Sequence, residues 1–271
     1  MKNVFKIILV SIFISLSLTS CYKSEDVPGE TIVDPSEFTQ KLLIEDYTGT
    51  WCVNCPAAGH AIHNAVNGND RFIAVGIHYR STGEVMQNEF SETLVTNFNP
   101  HGIFPRVALN REEAVWTDDY LVSNLVSKLN KYAPVGLAIN SNLVGNVIDV
   151  TVKVGFVEEM LTAPNYKLVV YLVEDEFVYP QHNASLPNLP LIIEDYEHND
   201  ILRYSFTNTL GDNIPNAIAG DHRFTQNFTS VNLPSTIDDI TKIRIVAFVV
   251  DENNNCLNVQ MATVGMDKDF D

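Results

Sequence analysis

The chain changes texture at Ala133-Pro134, and that change limits the folds it can adopt. Before it, apolar runs alternate with helix-like segments. "KLLIEDY" fits a buried strand, "CPAAGHAIHNAV" a helix, and "RFIAVGIHY" a second strand rich in branched and aromatic residues. "GEVMQNEFSETLVTNF" places Val85, Met86, Phe90, Leu94, Val95 and Phe98 at helical spacing and closes at Asn99-Pro100. "FPRVALN" and "EEAVW" read as a hairpin, and Thr117 caps a last helix with Leu121, Leu125 and Leu129 on one face. The order β-α-β-α-β-β-α predicts a mixed α/β sheet covered on both faces over residues 35–132. Beyond Pro134 the pattern is strands alone: "VGLAINSNLVGNVIDVTVKVGFV", "YKLVVYLVED" and "IRIVAFVVDENNNCLNVQMATV", broken by Gly, Asn, Asp and Pro. An antiparallel β-sandwich over 133–271 is the simplest way to bury them, and two separable cores are the expectation for about 250 residues. Pro180 to Pro234 is irregular, and its strands cannot be assigned from pattern.

The compartment is written at the start of the chain. Lys2 and Lys6 precede an apolar run from Ile7 to Leu18, closed by "LTSC". Residues 1–20 therefore read as a secretory signal, too short in its apolar part for the roughly 20 residues of a spanning helix. "LTSC" resembles a bacterial lipobox, which makes Cys21 the lipidated first residue of the mature protein and its link to the membrane. Residues 21–34, polar, with several acids and Pro28, read as a flexible tether. The formal charge is −17, and loss of Lys2 and Lys6 leaves 15 basic against 34 acidic residues, a formal −19. A surface of that sign repels phosphate backbones and argues against nucleic acid as a partner.

"GTWCVNCPAAGH" carries the chemistry. A cysteine at a helix N-terminus meets the positive end of the macrodipole, which favours thiolate over thiol. Cys52 is expected there, open to solvent, as the attacking sulfur, with Cys55 one turn in as the resolving thiol. Asp46, on the preceding strand, would be a buried carboxylate that handles the proton of Cys55. Trp51 would form an apolar wall. Phe104-Pro105 would set a cis-proline against the sulfurs, where the preceding backbone can meet an incoming peptide.

Leu42 to Pro56 together with Phe104-Pro105 resembles a thioredoxin in the order of its acid, tryptophan, CxxC and cis-proline. "GTWCVNCP", "GIFPRVALNR", "YEHNDILR" and "IRIVAFVVDENNNCLNVQ" resemble more closely the outer membrane lipoproteins related to outer membrane protein twenty-eight. The resemblance implies a thioredoxin-like domain followed by an immunoglobulin-like β-domain, an outer membrane location, and Cys52, Cys55 and Pro105 as redox-site positions. Trp51 and Phe104 would then contact substrate. Val53-Asn54 stands where thioredoxin has Gly-Pro, so the direction of electron flow stays open. The activity implied is thiol-disulfide exchange with protein or peptide thiols and disulfides, with no cofactor. The alternative from another class is a surface binding or adhesive lipoprotein whose CxxC disulfide is only structural.

A zinc site from Cys52, Cys55, His60 and His63 is disfavoured by the tight spacing, so no metal is expected. Cys256, after the turn "DENNN", reads as a buried inert thiol. His198 and Arg203 in "YEHNDILRYSF" read as part of a polar strand face rather than a site.

Overall fold

β1 (Leu42–Thr48) and β2 (Phe72–His78) are parallel neighbours, joined by α1 (Cys55–Gly68). Every residue of β2 is buried and every residue of β1 except the half-buried Asp46, as the continuous apolar runs of centrally placed parallel strands require. The computed structural model describes residues 38–271 apart from 81, 116–124, 126, 130–132, 158–164 and 216–222. The signal, the tether and Cys21 lie outside the described residues, as does most of the last helix expected in the first half. Its Leu125 and Leu129 are described, and both pack under α1 with Leu42, Ile44, Ile62 and Val107.

After β2 comes α2 (Ser91–Phe98), then the expected hairpin of β3 (Arg106–Leu109) and β4 (Glu113–Val115), antiparallel, with β3 also antiparallel to β1. The helix is half as long as the apolar spacing from Gly83 predicts. Glu84 turns inward, accepting from the backbone N–H and hydroxyl of Thr50 at 2.8 and 2.9 Å. Asn88 Oδ1 then accepts from the N–H groups of Phe90 and Ser91, so the helix starts only there.

The second half holds β5 (Val135–Val144), β6 (Val147–Phe156) and β7 (Lys167–Glu174), followed by short strands: β8 (Phe177–Val178), β9 (Gln181–His182), β10 (Ile192–Ile193), β11 (Glu197–His198), β12 (Ile201–Ser205) and β13 (Asp212–Asn213). Long strands return in β14 (Arg223–Asn232), β15 (Ile243–Val250) and β16 (Cys256–Thr263). The chain is mostly β, with mixed and antiparallel sheets. β14, β6 and β5 make a three-stranded antiparallel sheet, while one nine-stranded sheet runs β16-β15-β7-β12-β2-β1-β3-β4, with β13 also on β7.

That order corrects the expectation of two separable cores. The junction is β12, parallel to β2 through Ile201 and Gly76 and antiparallel to β7. Because side chains alternate across a strand, Leu168, Val170 and Leu172 of β7 face the core shared with β5 and β6. Val169, Tyr171 and Val173 face the opposite core, which holds Tyr47, Ile77 and Leu94 from the first half. The second half is thus not a self-contained sandwich: one of its two layers is the end of the first half's sheet.

A buried ion pair of the first half is tied across the expected boundary at residue 132 by a hydrogen bond to Tyr171. Arg111 donates to Glu45 Oε1 from Nε and Nη2 at 2.9 and 2.8 Å and to the hydroxyl of Tyr171 at 3.1 Å. Its guanidinium lies over the rings of Phe98 and Phe248, at 4.4 and 4.8 Å. Cys256 is buried at the start of β16, where its N–H donates to the carbonyl of Asn110 at 2.8 Å; burial pushes its thiol up.

Candidate functional site

The turn that follows β1 brings Cys52 and Cys55 together as a disulfide, S–S 2.11 Å with Cα atoms 5.4 Å apart. The backbone closes on itself here: Cys52 N–H donates to the carbonyl of Gly49 and Cys55 N–H to that of Cys52. Helix α1 begins at Cys55 with Pro56 in its first turn, where a missing N–H costs nothing. Cys52 therefore stands ahead of the helix rather than at its first residue. It is also not open: both cysteines are 3% exposed.

The cover is the stretch whose strands could not be assigned from sequence. Gln181 Nε2 donates to the carbonyls of Gly49 and Cys52 at 3.3 and 3.1 Å. His182 N–H donates to the carbonyl of Thr50 at 2.8 Å and Ala184 N–H to that of Val53 at 2.7 Å. Ser185 Oγ accepts from Ala57 N–H at 3.1 Å, satisfying one of the N–H groups that a helix start leaves unpaired. This strap is held in shape by Asn183. Its amide donates to the carbonyls of Leu186 and Pro190, and its Oδ1 accepts from the N–H groups of Ser185 and Leu186.

On the β3 side of the disulfide, Trp51 donates from Nε1 to the carbonyl of Tyr79 at 3.1 Å and meets Phe104 edge-on, ring centroids 5.4 Å apart. The Phe104-Pro105 peptide bond is cis. Val53, 42% exposed, and Ile103, 57% exposed, extend this apolar surface to solvent.

On the β2 side lies a cavity of about 320 Å³ whose wall includes Asp46, Cys55, His78, Tyr196, His198 and Asp200. Asp46 Oδ1 is buried without a hydrogen-bond partner. Burial, with Asp200 nearby, pushes its carboxyl up to about 7. Burial, with His78 beside it, brings the His198 imidazole down to about 3, so it is neutral at physiological pH; its Nε2 lies 3.1 Å from the carbonyl of Tyr179. Burial raises Tyr196 to about 12. Glu84 behaves in the opposite way: against the effect of its burial, His78 and Thr50 hold it down at about 2. His78 Nδ1 is 3.4 Å from Glu84 Oε1, near enough for an ion pair though not aligned as a hydrogen bond.

The structure thus brings Asp46, Trp51, Cys52, Cys55, Phe104 and Pro105 to one end of the sheet. Sequence reading missed the strap and the part played by His78, Tyr196 and His198 in the cavity. Arg203, singled out beside His198, pairs instead with buried Glu174 at 2.6 Å. His60 and His63 are exposed on α1 at the cavity mouth. Among the described residues no group of three His, Cys, Asp or Glu side chains is placed to hold a metal ion.

A bridged CxxC between strand and helix at one end of a mixed sheet, with the half-buried carboxyl of Asp46 beside it, defines a mostly β protein that carries a disulfide. The chain belongs to the family described as Outer membrane protein Omp28, whose model matches residues 91–268. It is accordingly an outer membrane protein of the cell envelope; Cys52 and Cys55 lie ahead of the matched stretch. HBP35 of Porphyromonas gingivalis is similar in fold, with a TM-score of 0.66 at 17% identity over 84% of this chain and 76% of that one. A domain of the outer membrane lipoprotein Omp28 from Porphyromonas gingivalis aligns at a TM-score of 0.33 and 19% identity, over 49% of this chain and 90% of that one. No curated protein matches the chain in sequence.

Proposed function

We propose that the protein is a thiol-disulfide exchange protein of the envelope, anchored by a lipid on Cys21, with a thioredoxin-like first half whose sheet is continued by the β second half. The observation that carries this reading is the Cys52–Cys55 disulfide set over the unpartnered carboxyl of Asp46. In the reduced protein the Cys52 thiolate attacks a partner disulfide, forming a mixed disulfide and releasing one partner thiolate. Cys55 then gives its proton to Asp46 and attacks Cys52, re-forming the bridge and releasing the second thiolate. Trp51, Phe104, Val53 and Ile103 offer an apolar surface to an extended peptide on the β3 side.

Cys55→Ala should accumulate envelope proteins bound covalently to Cys52, visible on non-reducing gels, and Cys52→Ala none. The rival reading, a binding or adhesive protein with a structural disulfide, draws support from the 3% exposure of both cysteines and from the strap. It gains the case if Cys55→Ala traps nothing and the wild-type bridge resists reduction until the protein unfolds. The anchor is checked separately: fatty-acid labelling should mark the wild type and be lost in Cys21→Ser, and labelling that persists would remove Cys21 from the proposal.

A further inference from the structure

The two sides of the disulfide differ in chemistry. The side toward Phe104 and β3 is apolar, and Cys52 follows Trp51 directly in the chain. The β2 side is the cavity, and of the two bridged cysteines it is Cys55 that forms part of its wall. Asp46 sits on a strand flanked by β2 and β3, so the surface it retains faces this cavity, and its buried Oδ1 has no hydrogen-bond partner. Asp195 and Glu197 are exposed at the mouth beside His60 and His63. The carboxylate of Asp200 is already held by Arg244 Nη2 at 2.6 Å. Among the described residues of the lining there is no Lys or Arg. An unpaired carboxyl in a poorly solvated wall that has no Lys or Arg in its lining favours a cation, and about 320 Å³ admits a molecule of several heavy atoms.

We propose that this cavity is the entry port for a small thiol bearing a positive charge, an aminothiol, which reduces the bridge by attacking Cys55. The inference rests on the bridge being redox-active and adds the class of reductant and the sulfur it meets. The aminothiolate forms a bond to Cys55 Sγ, the Cys52–Cys55 bond breaks, and Cys52 leaves as the thiolate. A second aminothiolate attacks the small-molecule sulfur of that mixed disulfide, giving the free aminodisulfide and the Cys55 thiolate, which takes up a proton. Two thiols are oxidised and one bridge is reduced. The protein partner and the reductant thus use opposite sides of one disulfide.

The reverse half-reaction tests this with stable adducts. In full-length Cys52→Ser, the Cys55 thiolate can enter the cavity chemistry only by attacking a small disulfide supplied from outside. Mass spectrometry follows adduct formation with cystamine, 2-hydroxyethyl disulfide and dithiodiglycolate, which are cationic, neutral and anionic. The expected order is cation over neutral over anion, by about tenfold per step. Because the whole chain is acidic, with a formal charge of −17, some cation preference is general. The decisive comparison is therefore with Cys55→Ser, whose Cys52 should show a weaker preference, and with added Asp46→Asn, which should flatten the preference at Cys55 alone. Added His63→Lys, on the exposed helix face, leaves folding untouched and should slow cystamine while speeding the anion. A Cys55 that reacts with none of the three, or whose charge preference equals that of Cys52 and survives Asp46→Asn, overturns the port. Either result leaves trapping at Cys52 intact, whereas a charge-selective Cys55 in a protein that traps no partner keeps the port and removes the exchange function.

Discussion

Asp46 and His198 line one cavity, and their protons act on stability with opposite signs. The Asp46 carboxyl rises from 3.8 to about 7 on folding, through burial first and Asp200 second. Between those values the native state holds a proton that the unfolded chain has lost, so stability falls as pH rises through that window. His198 goes from 6.5 to about 3 through burial and its neighbour His78. There the unfolded chain holds the extra proton, and stability rises with pH between about 3 and 6.5. The two slopes offset each other from about pH 4 to 6.5. Asp46→Asn removes one of them: it should match the wild type below pH 4, gain progressively above it, and be more stable by about 2–4 kcal/mol above pH 7. His198→Gln should do the reverse, leaving stability that falls from pH 4 upward. Thermal melts across pH 3–8 decide this, and a difference from wild type that does not vary with pH would mean that Asp46 is not a buried carboxyl of this kind.

The strap is the element that controls the disulfide, and Asn183 is what shapes it. Removing the Asn183 side chain leaves the carbonyls of Leu186 and Pro190 and the N–H groups of Ser185 and Leu186 without these partners. Asn183→Ala should loosen the strap by about 1–3 kcal/mol and speed reduction of the bridge by a neutral dithiol about tenfold or more, with a smaller effect on global unfolding. Reduction followed by alkylation and mass measurement checks it; an unchanged rate would show that the strap does not limit access. This element was not legible in the sequence, for a physical reason. β9 and β10 are two residues each, too short to show a period, and the bonds of Gln181 and His182 reach carbonyls some 130 positions away. The start of α2 escaped in the same way, because Glu84 takes its direction from Thr50 and His78. What was legible was local. The apolar runs of β1 and β2, the Pro56 start of α1 and the β3–β4 hairpin all follow from neighbours in sequence, and they suffice to bring Asp46, the CxxC and Phe104-Pro105 to one end of a sheet. Whether a cysteine is covered depends on what folds over it from elsewhere.

At the scale of the molecule, the nine-stranded sheet makes the expected boundary at residue 132 a poor place to cut. A fragment ending at Tyr132 would leave β2 without β12 and uncover Tyr47, Ile77 and Leu94, which pack against Tyr171, Val173, Val246 and Phe248. It would also open the cluster of Glu45, Arg111 and Tyr171, in which the side chains of Glu45 and Arg111 are 0% exposed. Two charges in such a place are tolerated only together. The fragment is expected to be unfolded or aggregated by circular dichroism and gel filtration, and a folded fragment with a cooperative melt would show that the first half does not need the second. Arg111→Met in the full chain isolates the cluster. It leaves Glu45 buried with the Tyr47 hydroxyl, which donates to it at 3.0 Å, and should cost about 3–5 kcal/mol. Adding Glu45→Gln should recover most of that loss, because the stranded charge rather than the missing contact dominates it. Since the pair joins β1 to the β3–β4 turn and to β7, Arg111→Met should lower a single transition reported alike by tryptophan fluorescence, whose two sources Trp51 and Trp116 both lie in the first half, and by far-ultraviolet circular dichroism. Two separated transitions, with only the one seen by tryptophan fluorescence shifted, would instead restore two independent cores despite the shared sheet.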